Sequence, residues 1–308
     1  MISIVFPGQG SQKIGMLADL AGHYSSVQDT FNEASEALGY DMWKLIQEGG
    51  QEEINLTERT QPILLTCSIA IWRIWNARAG KIPSQMAGHS LGEWSALVCA
   101  QAVDFADALN IVRARGQYMQ QAVPLGEGAM AAIIGLDDQA IVQACGIAAE
   151  SGIVDAVNFN APGQVVIAGS TTAVDRAIEL CKEAGAKRAL ALPVSAPFHT
   201  SLMRPAADQL SELVRSVTFK QPTIPIVHNV HAQTEDNAEK IKDLMLKQVY
   251  SPVRWVDCVK QLKANGASTL VECGPGKVLS GLSKRIDSEL VSLTTEDTAS
   301  IENSLSQF

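Results

Sequence analysis

A serine between two glycines, Gly88-His89-Ser90-Leu91-Gly92, is the stretch of this sequence best suited to chemistry. It spells G-x-S-x-G, the elbow in which a serine sits on a strained strand-to-helix turn that exposes its hydroxyl. The flanks agree: Gln85-Met86-Ala87 can end a buried strand, and Glu93-Trp94-Ser95-Ala96-Leu97-Val98 continues with helix formers and no proline. Side chains at positions 88 and 92 would crowd the turn, so glycine is required there. A serine at a helix N-terminus also meets free N–H groups that favour a developing negative charge. A chain of this composition produces the five-residue pattern by accident roughly one time in ten, so the rest of the chain has to support it.

Such a serine needs a base, and there are five histidines. His23 lies in a polar helix-loop stretch that reads as surface. His89 occupies the variable position of the elbow, where its side chain points away from the serine and packs. His228 and His231 suggest a metal site, yet residues three apart on a strand face opposite sides and cannot close on one ion. His199 follows Ser195-Ala196-Pro197-Phe198, on a loop at an expected cleft between two parts of the molecule, and is the candidate base. No carboxylate stands out as its orienting partner: Asp208 belongs to the next helix, and Asp155 and Asp175 to a separate unit. A carbonyl could hold the imidazole N–H instead, giving a Ser-His dyad.

Two further stretches could contribute. Gly8-Gln9-Gly10-Ser11-Gln12 follows a short β-branched run but fits neither G-x-G-x-x-G, since Lys13 stands in the third glycine position, nor the phosphate loop, since Met16 follows Gly15. It is either a tight structural turn or a strand-end loop that supplies a backbone N–H to an oxyanion. Arg113 and Arg115 lie two apart in an apolar helix, so they project to different faces. The inward one either binds an anionic substrate or pairs with Asp104 or Asp107.

The elements that must position these residues fit an α/β protein. Of the 308 residues, 46% are hydrophobic and 19% charged, enough for a large core or a core plus a subdomain. The net charge of −9 argues against a nucleic-acid binder. The N-terminus lacks the features of a signal peptide, and the longest apolar run, Pro62 to Trp75, is too short for a membrane span and carries Arg73. The six cysteines show no metal-ligand spacing and read as core residues in a reducing compartment, so the expected location is cytoplasmic, with no membrane partner.

Along the chain, a strand at 2–6 precedes a helical region to about residue 80, then come the elbow and a helix over 105–123. Between 128 and 194 the pattern becomes strand, helix, strand, strand, helix, strand, the ferredoxin-like βαββαβ order, whose adjacent ends allow insertion into another domain. Strand-like runs at 224–227 and 269–273 follow, the second leading into Gly274-Pro275-Gly276-Lys277 and a final helix. The expected architecture is an α/β-hydrolase-like large domain, residues 1–126 and 196–308, interrupted by a ferredoxin-like subdomain, residues 127–195.

Taken in order, Gly8-Gln9-Gly10-Ser11-Gln12, the elbow, Arg115-Gly116, Asn158 to Gln164, Ala196-Pro197-Phe198-His199 and Gly274-Pro275-Gly276-Lys277 resemble the malonyl-CoA:acyl carrier protein transacylase family of type II fatty acid synthesis. The resemblance covers nearly the whole chain. It implies that Ser90 attacks the malonyl thioester, His199 takes its proton, and the backbone N–H groups of Gln9 and Leu91 hold the oxyanion. It further implies that Arg115 clamps the free carboxylate, Gln248 offers its backbone carbonyl to His199, Asn160 lies at the cleft, and Phe198 narrows the pocket against α-methyl branching. No cofactor or metal is required, the partners are malonyl-CoA and acyl carrier protein, and the expected state is a monomer. Lys182, Lys187, Arg188, Lys277, Lys284 and Arg285 are candidates for a basic rim that receives the acidic carrier, or else are scattered solvated charges. A serine hydrolase or thioesterase shares the elbow, and a non-catalytic acyl-binding protein could retain the fold. The insert and the missing acid near His199 favour transfer over hydrolysis, and the intact serine and histidine count against a scaffold.

Overall fold

The computed structural model describes residues 1–194 and 196–308. It is a mixed α/β fold with two sheets. The larger is built from β1 (Ile2–Phe6), β2 (Gln85–Gly88), β7 (Ile226–Val227), β8 (Thr269–Glu272) and β9 (Val291–Thr294), in the order β7-β2-β1-β8-β9 with every pairing parallel. The smaller comprises β3 (Gly128–Ile134), β4 (Val154–Ala161), β5 (Gln164–Ser170) and β6 (Arg188–Ala191), antiparallel in the order β4-β5-β3-β6.

A parallel sheet buried on both faces reads as an unbroken apolar run, which is why Ile2-Ser3-Ile4-Val5-Phe6 is legible as a central strand. Ile4 and Phe6 enter one core with Leu64, Trp75 and Trp94, while Val5 turns to the opposite core with Trp255 and Val259. The helix Thr57–Ala77 supplies much of the first core and carries the longest apolar run. Among the described residues no helix is long and apolar enough to cross a membrane. All six cysteines are buried as free thiols.

The smaller sheet encloses its own core with the helices Asp138–Ala148 and Thr171–Glu183. It is joined to the rest by main-chain bonds: Phe159 N–H donates to Val253 O at 3.0 Å and Val253 N–H to Val157 O at 2.8 Å. Ser195, where the expected boundary of this unit falls, lies outside the described residues.

The chain departs from its sequence reading at the C-terminus. The helix after Lys277, Val278–Ile286, is not the last element; β9 and the helix Thr298–Leu305 follow it. Strand β9 is an edge strand with Val291 half exposed, so it lacks the apolar run that marks the central strands.

Candidate active site

The elbow forms where parallel β2 hands over to the helix Gly92–Cys99. Ser90 adopts φ 52°, the left-handed region, at a cost of about 1–3 kcal/mol that the surrounding packing has to hold. The flanking glycines are required sterically. A Cβ on Gly88 would stand 1.8 Å from the Gly92 carbonyl carbon, and one on Gly92 would stand 2.1 Å from Phe6 O. Asn229 clamps the turn from below, accepting the Ser90 N–H at Oδ1 (2.8 Å) and donating from Nδ2 to Gly88 O (2.7 Å).

His199 reaches this serine across 109 residues of sequence, with Nε2 2.8 Å from Ser90 Oγ. It too has a positive φ, 67°, so both ends of the contact sit on strained backbone. Its Nδ1 is 2.9 Å from the Gln248 carbonyl oxygen. Because a carbonyl only accepts, Nδ1 carries the proton and Nε2 is the free lone pair facing the hydroxyl. Burial, and then the charge of Arg115, push this imidazole from its ordinary value down to about 3. His199 is therefore neutral at physiological pH.

Of the two arginines, Arg115 turns inward and is 1% exposed, while Arg113 is exposed and donates to Leu38 O at 3.2 Å. Arg115 pairs with neither Asp104 nor Asp107. Its Nη1 donates to Gln61 Oε1 at 2.8 Å, and its Nη2 to Gln248 Oε1 at 2.9 Å and Ser90 Oγ at 3.1 Å. Burial lowers its pKa to about 10, so it stays charged at neutral pH. A buried cation held only by neutral oxygens can still take an anion.

Ser90, His199, Arg115 and Gln61 line one cavity of about 370 Å³. Gln9 and Leu91 are on its wall, and among the described residues neither backbone N–H has a recorded acceptor. Met119, Met130, Val194 and Phe198 supply its apolar side. Asn160 does not line the cavity; its Oδ1 meets His89 Nε2 at 2.8 Å and holds that ring against Trp255. The asparagine of β4 that lines it is Asn158, whose buried Oδ1 has no partner among the described residues. The shift from 158 to 160 follows from irregular register in β4, which spoils strict alternation there.

The remaining histidines are accounted for. His23 is exposed at the end of a short helix. His228 and His231 lie beyond the end of β7, so the alternation argument does not apply, and their rings approach within 6.0 Å. His228 is committed through Nδ1 to Glu93, at 2.6 Å.

Sequence reading missed the layer below the serine: Gln61, Glu93, His228 and Asn229. All four are almost fully buried. The available signal was polarity out of place at Glu93, in a mostly apolar helix; Gln61 follows Thr57-Glu58-Arg59-Thr60 and gave none.

The arrangement is built to pass an acyl group through a serine ester, with a neutral imidazole to move the proton and a cation beside the reacting oxygen. A family model for acyl transferase domains matches residues 4–294. The malonyl CoA-acyl carrier protein transacylase of Escherichia coli is 58% identical over 284 residues, covering 92% of each chain. An acyl carrier protein S-malonyltransferase from Vibrio cholerae superposes with a TM-score of 0.96 at 57% identity, covering 98% of this chain and 99% of that one. A malonyl-transacylase solved in complex with a type II PKS acyl-carrier protein gives a TM-score of 0.98 at 52% identity, covering 100% and 99%. The chain belongs to the acyl transferase family and, within it, to the malonyl CoA-acyl carrier protein transacylases.

Proposed function

We propose that this enzyme transfers the malonyl group of malonyl-CoA to the phosphopantetheine thiol of acyl carrier protein through a malonyl-Ser90 ester, supplying fatty acid synthesis. The observation that carries the proposal is the meeting at one oxygen: Ser90 Oγ lies 2.8 Å from His199 Nε2 and 3.1 Å from Arg115 Nη2.

In the first half-reaction Ser90 Oγ attacks the thioester carbonyl while His199 Nε2 takes its proton. The backbone N–H groups of Gln9 and Leu91 stabilise the oxyanion. The carbon–sulfur bond breaks, and coenzyme A leaves as the thiol with the proton returned by His199. In the second, the carrier's thiol gives its proton to His199, its sulfur attacks the serine ester, and Ser90 departs with that proton. The overall exchange is of one thioester for another, so no cofactor is needed to drive it. Gln248, through its backbone carbonyl, keeps His199 in the productive tautomer.

Arg115 selects the acyl group by pairing with its free carboxylate. That pairing also offsets the charge that depresses His199, so a carboxylated substrate strengthens the base as it binds. Phe198 narrows the apolar side of the cavity against an α-methyl branch. Asn160 acts through His89, at one remove from substrate.

We read the parallel part as an α/β-hydrolase-like domain, residues 1–126 and 196–308. The order β4-β5-β3-β6 supports reading residues 127–195 as a ferredoxin-like insert. The enzyme is a cytoplasmic monomer, with no nucleic-acid or membrane partner. Lys182, Lys187, Arg188, Lys277, Lys284 and Arg285 are all exposed outside the cavity, Lys277 near Glu296 at 3.9 Å and Arg285 bonded to Gln164, and they offer positive charge to an acidic carrier.

Intact mass after incubation with malonyl-CoA tests the function. The expected result is a malonyl adduct that persists until carrier protein is added and then moves to it. Spontaneous loss of the adduct to water would make the protein a thioesterase, and absence of any adduct would make it a binding protein.

A further inference from the structure

Directly under the elbow, Glu93 is fully buried and accepts from three donors. His228 Nδ1 meets Oε1 at 2.6 Å, and the Asn229 N–H and Gln248 Nε2 meet Oε2 at 3.0 and 2.8 Å. The carboxylate does not touch Arg115. It acts through Gln248, which bonds to both of them.

The polarity of that amide matters. A carboxylate only accepts, so Gln248 must turn its NH₂ towards Glu93, and the same NH₂ also reaches Ser90 O at 3.0 Å. Its oxygen is thereby left facing Arg115 Nη2 at 2.9 Å. Turned the other way, the amide would set N–H groups against a guanidinium that has no acceptor. Glu93 also attracts the guanidinium through space without occupying any of its donors. A carboxylate in direct contact would fill the position that an anionic substrate needs.

We infer that Glu93 is a positioning residue for acyl-group selection: by fixing the Gln248 amide it holds Arg115 at the nucleophile without taking the donors that remain for a carboxylate. The inference rests on the malonyl transfer proposed above. Loss of Glu93 removes discrimination between carboxylated and plain acyl thioesters, while the Ser90–His199 contact, which Gln248 supports through its backbone, persists.

The test is the initial rate of covalent loading from malonyl-CoA and from acetyl-CoA for the parent protein and Glu93→Leu, which removes the acceptor where Glu93→Gln would keep one. The malonyl-over-acetyl preference is expected to fall about tenfold or more, chiefly through a raised KM for malonyl-CoA, with acetyl loading within about threefold. Gln248→Met provides a second route, since it removes the amide but keeps the backbone carbonyl. It should lose the preference likewise, and adding Glu93→Leu to it should lower the preference no further. An unchanged preference in either single variant, equal losses with both substrates, or additive losses in the double variant would overturn the inference. Should Glu93→Leu not fold, Gln248→Met decides alone. A parent enzyme with no preference for malonyl-CoA would instead refute the proposed function.

Discussion

The floor and the roof of the cavity are made of different material. The floor, from the parallel part, is polar: Ser90, Arg115 and Gln61 line the cavity, and the buried Gln248, Glu93 and Asn229 form a hydrogen-bonded layer beneath them. The roof draws Met130, Leu192 and Val194 from the antiparallel part, with Phe198 from the returning loop packed against them, several of them only half buried. A polar network in low dielectric has few alternative arrangements, because each broken contact strands a donor or acceptor at a cost of about 1–3 kcal/mol. An apolar wall can shift by a rotamer with much less penalty. The floor therefore reads the charge of the acyl group, and the roof reads its shape.

Arg115→Ala attacks the floor and has the largest expected effect. Malonyl loading should fall roughly 10–100-fold, the worth of a charge-assisted pair, while acetyl-CoA becomes a comparably good substrate. Loading rates with the two thioesters check this, and the same switch produced by Arg113→Ala would assign the clamp to the wrong arginine. Phe198→Ala attacks the roof. It should raise methylmalonyl-CoA loading about tenfold, the value of one methyl group in an apolar pocket, and leave malonyl-CoA within a few-fold. An unaltered ratio between those two esters would remove Phe198 from substrate selection.

The smallest expected effect is an absence of titration. His199 works as the neutral base, and its pKa lies near 3 instead of 6.5, so lowering the pH through 6.5 leaves it unprotonated. The kcat/KM for loading should be flat from pH 8 to about 5, and a half-loss near 6.5 would contradict the buried environment. The linked effect on folding has a definite sign. Between about 3 and 6.5 the unfolded chain binds the proton and the native chain does not, so this residue makes the fold less stable as pH falls through that window.

Legibility in the sequence followed the range of the cause. The elbow is local: five residues define it, and the need for glycine at 88 and 92 is steric, so the pattern with its strand and helix flanks announced the turn. The strand, helix, strand, strand, helix, strand order of the middle segment was equally readable, since each element there hides one face on a small core of its own. Strand β9 was not, because an edge strand needs fewer apolar residues. Asn160 was placed at the cleft by resemblance alone, and the register shift in β4 between Phe159 and Ala161, which separates it from Asn158, is not written in the local sequence.

The sequence by itself determined which residues were chemically able: a serine on a strained turn, a histidine on a loop after a proline, two arginines of which one had to face inward. Tertiary structure decided which of them meet. Helical phase separated Arg113 from Arg115 without saying which was buried, and packing against Gln61 and Gln248 settled it. The polar layer of Glu93, His228, Asn229 and Gln248 joins positions up to 155 residues apart through single hydrogen bonds. Hydrogen bonds of that kind are directional and act within about 3 Å. Only the folded chain brings their partners within that range, so nothing local in the sequence encodes them.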